Sequence, residues 1–175
     1  MVRINSNSIS RDCGIDGRFG RNNRFNEIIM ESQNNQDSAR AMDKINELTH
    51  KIIGCAMQVH RTLGNGFQEK IYQRALAIEF AFQGLEFVRE MEMDLFYREQ
   101  HIGKRRVDFF VEGQVMVEIK AVEKLEDVHK AQAINYCEAY NMATGLLINF
   151  GGKSLEFKRV YNKRLVNPKD NPLKS

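Results

Sequence analysis

Three residues near the middle of the 175-residue chain have the types and spacing for metal-assisted chemistry: Asp108, Glu118 and Lys120. They lie in the stretch RVDFFVEGQVMVEIK, Arg106 to Lys120, which reads as a β-hairpin. Val107, Phe109 and Val111 alternate with Arg106, Asp108 and Phe110, and Gly113 supplies the turn. Val115, Val117, Ile119 and Ala121 then alternate with Met116, Glu118, Lys120 and Val122. Successive strand side chains point to opposite faces, so Glu118 and Lys120 share one. Asp108 joins them if the hairpin register turns its face the same way. Both faces are rich in apolar residues, which predicts a sheet covered on both sides. An Asp, a Glu and a Lys emerging from such a sheet are costly unless paired, hydrated or bound to metal. Two carboxylates hold a hard divalent cation through oxygen. A lysine beside them orients a water or stabilises a phosphate, and the set suits phosphodiester hydrolysis. The plainer alternative is a solvated Glu-x-Lys on an edge strand, joined by a weak ion pair.

The elements around this hairpin can be taken in order. Residues 1–43 are rich in Asn, Ser, Arg and Gly without a sustained apolar period, and read as a flexible leader with at most a helical turn at Phe25–Met30. Met30 and Met42 read as candidate alternative start sites. The domain is expected at 44–161, followed by a flexible basic tail, 162–175. The spacing of Ile45, Leu48, Ile52, Cys55, Val59 and Leu63 predicts an amphipathic helix from Lys44 to Leu63, stopped by Gly64-Asn65-Gly66. His50 and His60 fall off the centre of its stripe and read as surface or boundary residues.

A second helix is expected from Phe67 to Gln83, with Ile71, Ala75, Ile78 and Phe82 as one stripe and Tyr72, Leu76 and Phe80 beside it. Glu69 sits in its first turn, where a carboxylate suits the helix dipole. A strand from Phe87 to Tyr97 and a turn over Arg98–His101 lead to the strand that reaches Asp108. Lys104, Arg105 and Arg106 just precede Asp108; such a run is usually solvated, but beside a phosphodiester site it forms a backbone-binding edge. A helix is expected from Lys124 to Asn141, lined by Leu125, Val128, Gln132, Asn135 or Tyr136, and Ala139. Gln132 and Tyr136, four apart, sit together, and His129 one turn earlier faces the same cleft. Leu146–Phe150 is a continuous apolar run suited to a buried parallel strand, and Leu155–Tyr161 alternates as a last strand. The crossover helix between parallel strands predicts an α/β fold, a mixed sheet flanked by helices.

Composition excludes several classes. Apolar content of 42% and charge of 28% suit one globular domain. The net charge of +3 permits nucleic-acid binding without arguing for it. Cys13, Cys55 and Cys137 lie far apart, with no disulfide framework or zinc spacing, and read as thiols in a reducing compartment. No run is apolar and long enough to span a membrane, so the expected location is the cytoplasm.

The ordered set Gly66-Phe67-Gln68-Glu69-Lys70-Ile71-Tyr72, Arg106-Val107-Asp108, Val117-Glu118-Ile119-Lys120-Ala121, His129-Lys130-Ala131-Gln132, Tyr136 and Gly145–Gly151 resembles the GxxExxY protein family over Ile45 to Tyr161. That family is similar to the PD-(D/E)XK nuclease superfamily, which implies a restriction-endonuclease-like α-β-β-β-α-β core. The resemblance makes Asp108 and Glu118 metal carboxylates, with the Ile119 carbonyl as a further ligand, Lys120 the motif lysine and Glu69 an additional acidic residue. Gln132 and Tyr136 match a helix pair beside the site. Val107 stands where the motif has proline. Gly66 is expected to shape the helix start and Tyr72 to lie in the core. The implied activity is an Mg²⁺- or Mn²⁺-dependent nuclease acting on DNA, or less readily RNA; a homodimer would let two sites cut both strands. The alternative is a catalytically silent nucleic-acid-binding or interaction module on the same fold.

Overall fold

The computed structural model describes residues 19–162 and Leu165, with only the backbone described for 19–32, 34 and 35. The leader's first 18 residues, Cys13 among them, and nearly all of the basic tail lie outside the described residues. The chain divides into two compact units, 1–41 and 42–175, and the second carries the sheet.

The first helix, α1, is Phe19–Leu63. It starts well before the expected Lys44. No Gly or Pro interrupts residues 21–53, so nothing in the local chemistry stops a helix there even though an apolar stripe is missing. Its C-terminal part does carry the expected stripe: Leu48, Ile52, Cys55 and Val59 are buried. The helix ends at Gly64, in the left-handed region at φ 71°.

The next helix, α2, is Glu69–Phe82. The residues it buries are Tyr72, Gln73, Leu76, Ala77 and Phe80. The expected stripe is therefore displaced by about one residue. Ile71, Ile78 and Phe82 are exposed. The larger aromatic face wins: Phe80 packs edge-on against Phe87 and Phe109, and Tyr72 stacks on Phe150 with centroids 4.6 Å apart.

Five strands follow: β1 Phe87–Tyr97, β2 Gln100–Val111, β3 Val115–Lys120, β4 Thr144–Asn149 and β5 Glu156–Tyr161. They form one sheet in the order β1-β2-β3-β4-β5, antiparallel except for the parallel pair β3–β4. The crossover between that pair is the third helix, α3, Asp127–Ala139. This is a mixed five-stranded sheet with flanking helices, the restriction-endonuclease-like α/β arrangement.

One face of the sheet, through Phe109, Val111, Val115, Val117 and Ile119, packs with α1 and α2. The α3 side holds Val107, Met116 and Tyr136 in one cluster and Ala133, Cys137, Leu147 and Val160 in another. Two expectations change here. Val107 does not share a face with Phe109 and Val111, so the alternation of β2 is broken at Asp108. On α3, Ala133, Tyr136 and Cys137 are the buried residues, whereas Val128 is exposed. Cys55 and Cys137 are buried free thiols, each pushed up to about 11 by burial.

Candidate active site

The site begins at the point where β2 and β3 part. Their pairing runs from Val111↔Val115 to Phe109↔Val117 and stops. Beyond it, Oδ2 of Asp108 accepts the Ile119 backbone N–H at 2.7 Å. A carboxylate thus takes the donor that a backbone carbonyl would have taken in a continued ladder. The separation leaves an opening beside the buried strand β3, with Asp108 on one lip and Glu118 and Lys120 on the other. On β1, Glu90 lies between the paired residues Arg89 and Met91, whose partners flank Asp108, and adopts φ 50°. A non-glycine residue in that region is held there by its surroundings.

Three elements supply the remaining groups. Helix α2 starts with Glu69 and continues one turn later with Gln73, which donates to Asp108 Oδ1 at 2.9 Å. Arg89 donates in turn to Gln73 Oε1 at 3.2 Å. Glu69, Lys70, Gln73, Glu90 and Asp108 line a small cleft of about 160 Å³. The loop before α2 is fastened by Tyr72: its hydroxyl donates to the Gly64 carbonyl at 2.8 Å and accepts the Phe67 N–H at 3.2 Å. Gly66 in the same loop has φ 103°, a conformation closed to residues with a Cβ. The G-x-x-E-x-x-Y pattern therefore has a mechanical reading. Glycine permits the bend, tyrosine locks it, and the glutamate is presented in the first turn.

On β3, Lys120 Nζ donates to Glu118 Oε1 at 2.7 Å, in a largely buried pair. From α3, Gln132 Nε2 reaches the same oxygen at 3.5 Å and the Tyr136 hydroxyl at 2.6 Å. Glu118 Oε2 is buried and has no hydrogen-bond partner. Such an orphaned carboxylate oxygen is expensive and calls for an electropositive neighbour.

The electrostatics express this strain. Burial, joined by the nearby Asp108 charge and only partly offset by Lys120, pushes the Glu118 carboxyl up to about 7. Burial also raises Asp108, against the opposing effects of the Ile119 N–H, Lys120 and Gln73. Glu69 is raised chiefly by burial and further by Asp108, with Lys120 and His129 acting the other way. Burial pulls Lys120 down, but Glu118, Glu69 and Asp108 together outweigh it and its net shift is upward. The centre therefore holds more negative charge than one lysine can neutralise.

Glu69, Asp108, Glu118 and Lys120 thus come together, with the Ile119 backbone between the two carboxylates of the hairpin. Among the described residues, no three His, Cys, Asp or Glu side chains are placed around a common ion position. Asp108 is turned toward Gln73 and Ile119, and Glu118 toward Lys120. The donor set still fits a hard divalent cation, because it is all oxygen, over-charged, and contains one buried oxygen that nothing satisfies.

The remaining expected residues are distributed differently. His129 is half-buried, and its Nδ1 accepts the Glu126 N–H at 3.0 Å in a capping box, so it also serves the start of α3. Lys104 is paired with Glu92 at 3.4 Å and with Asp94 at 3.9 Å, and Arg106 with Glu90 and Glu92 at 3.8 and 3.7 Å. Arg105 lies apart from these pairs, in a groove against α3 with Gln132 and Tyr136. Gln73, Arg89 and Glu90 were not anticipated. Gln73 carried a usable signal, four residues after Glu69 on one helix face. Glu90 carried none, because its place depends on the β1–β2 register.

A family model described as the PD-(D/E)XK nuclease superfamily matches residues 46–160. The chain belongs to this superfamily. The match contains every residue of the centre just described. No curated protein matches. The crystal structure of SSO0001 is similar at 17% identity and a TM-score of 0.43, over 53% of this chain and 48% of that one. PD-(D/E)XK nucleases generally use divalent metals. No described helix is long and apolar enough to cross a membrane.

Proposed function

We propose that the protein is a metal-dependent nuclease that hydrolyses phosphodiester bonds of DNA, with RNA as the lesser alternative, in the cytoplasm. The observation that carries this reading is the over-charged, under-satisfied centre at the β2–β3 separation, above all the orphaned Glu118 Oε2 beside Asp108. Asp108 and Glu118 would hold Mg²⁺ or Mn²⁺, with the Ile119 carbonyl and Glu69 as further donors. When bound, the cation supplies Lewis-acid polarisation of the phosphate and a more acidic water.

The chain's own residues do the rest. Lys120 stays an ammonium, since three carboxylates favour its charged form. With Glu118 holding a cation, the Lys120 Nζ that now pairs with it would orient the attacking water and offset the charge that builds on the phosphate oxygens. Gln132 holds Glu118 Oε1 from α3, and Tyr136 holds Gln132. Gln73, backed by Arg89, sets the Asp108 carboxylate. Glu69, at the start of α2, would hold a water on that side of the opening.

The reading of a silent binding module is favoured by one observation, the closed Lys120–Glu118 pair at 2.7 Å. Cleavage of single- and double-stranded DNA and RNA with Mg²⁺ or Mn²⁺, wild type against Lys120→Ala and Asp108→Ala, decides between them. Metal-dependent cutting lost in both variants upholds the nuclease. An inert wild type, or cutting that survives both substitutions, refutes it.

A further inference from the structure

The three basic residues before Asp108 are not equivalent. Lys104 and Arg106 are held by carboxylates of β1. Arg105, between them, has no ion-pair partner among the described residues and lines a groove of about 490 Å³ between the β1–β2 hairpin and α3. Gln132 and Tyr136 form part of the same groove, and Gln132 also reaches Glu118. Gln132 is therefore common to the groove and the active centre. Its hairpin wall is fastened to α3 by the Tyr140 hydroxyl, which donates to the Asp94 carbonyl at 3.2 Å.

The lining has a definite chemistry. Leu95, Val128 and Ala131 make it apolar; Gln132 and Asn135 offer amides; among the described residues Arg105 is its one charge and no carboxylate lines it. A cation, amide donors and acceptors, and apolar surface are what a nucleotide requires: one for phosphate, one for the base edge, one for the base face. The volume falls within the range of small-ligand sites. In a duplex the base faces are stacked and the Watson–Crick edges paired, so neither is available to such a lining. We infer that this groove is a subsite for an unpaired nucleotide flanking the scissile phosphate, with Arg105 holding a neighbouring phosphate. The inference rests on the nuclease reading for the scissile bond, and it makes the substrate single-stranded, frayed or flapped nucleic acid.

The test is fluorescence anisotropy with labelled single-stranded DNA, single-stranded RNA and blunt duplex of one sequence, in EDTA so that no cleavage occurs. Single strands are expected to bind at least about tenfold more tightly than duplex, and the preferred sugar assigns DNA or RNA. Arg105→Ala should weaken single-strand binding about tenfold and lower the salt-dependence slope by about 1. Lys104→Ala, whose ammonium is already held, should do less. Val128→Asp, at an exposed position that tolerates a polar residue in the fold, should weaken binding about as much as Arg105→Ala by setting a carboxylate in the groove. Equal affinity for duplex and single strand overturns the inference, as does unchanged binding in both groove variants or a change only in oligomeric state. The two readings fail separately. A wild type that cuts while the groove variants bind normally removes the subsite alone. A wild type that never cuts, but binds single strands through Arg105, removes the nuclease alone.

Discussion

Glu118 makes the apo protein's stability depend on pH in a way that a divalent cation should abolish. Its carboxyl is raised from 4.5 to about 7 in the folded chain, chiefly by burial and then by Asp108. A raised carboxyl favours the protonated native state, so its stabilising contribution is complete below about 4.5 and is lost as pH rises through about 7. The loss from this group is about 3 kcal/mol at alkaline pH. For a domain of this size that corresponds to roughly 6–12 °C in Tm. Asp108 and Glu69 are raised as well and act in the same direction. Lys120 is also raised, but its contribution is lost only above its ordinary 10.5, outside this window.

Thermal melts from pH 4.5 to 8.5 in EDTA check this, with Glu118→Gln as the partner variant. Gln keeps the shape and cannot ionise. The wild type should lose stability relative to Glu118→Gln, most steeply between about pH 5 and 7 and levelling off above about 7. Saturating Mg²⁺ or Mn²⁺ should flatten the wild-type curve, because the cation binds the ionised carboxylates, and should shift Glu118→Gln much less. Parallel wild-type and Glu118→Gln curves in EDTA would refute the argument that the buried carboxylate is the strained group. A wild-type slope that metal leaves untouched would refute the cation fit.

Other outcomes follow from the same geometry. Asp108→Ala and Lys120→Ala should each lower cleavage at least about a hundredfold in single-turnover assays, while the folded far-UV spectrum is kept. At limiting metal, cleavage by the wild type should rise with pH through about 7 as Glu118 ionises. Tyr72→Phe should cost about 1–3 kcal/mol in urea unfolding, because the Gly64 carbonyl and Phe67 N–H lose their shared partner while the ring still stacks on Phe150. It should also depress cleavage through Glu69, more than Gln83→Ala on the exposed end of α2. Gly151→Ala should destabilise by about 1–3 kcal/mol, since a Cβ there would clash with the Val122 backbone.

The order of elements was legible because each rests on local signals. Glycines at 64, 66, 84 and 113 mark four boundaries, and all four adopt positive φ. The apolar run Leu146–Phe150 announces a strand, and β4 at Thr144–Asn149 is buried throughout. Faces were less legible wherever two stripes compete. On α2, Ile71, Ile78 and Phe82 have the same period as Tyr72, Leu76 and Phe80, and only the rings they meet across the sheet decide between them. The helix before Lys44 was missed for a different reason. A missing apolar stripe argues against packing, not against helix, and only a glycine or proline would have argued against helix itself.

The centre was legible in its parts and illegible in its assembly, and the reason is the broken ladder at Asp108. Strict alternation would put Val107, Asp108 and Phe109 on alternate faces of a flat sheet, with Asp108 beside Glu118 only by luck of register. The strands instead separate after Phe109↔Val117, Val107 turns to the α3 side, and the Asp108 carboxylate takes the Ile119 N–H. The departure from periodicity is therefore what brings two acidic residues on two strands to one opening. A sequence pattern records the residue types on each strand but not the point at which pairing stops. That point depends on Glu90 across the β1–β2 register and on Gln73 from α2, neither adjacent to Asp108 in the chain. If the separation is what the acidic pair requires, Asp108→Val should let β2 and β3 pair further. Hydrogen exchange would then show added protection at Ile119 even as cleavage is lost. Lost protection at Ile119 would instead mean that the carboxylate, and not the neighbouring backbone, is what holds the two strands together there.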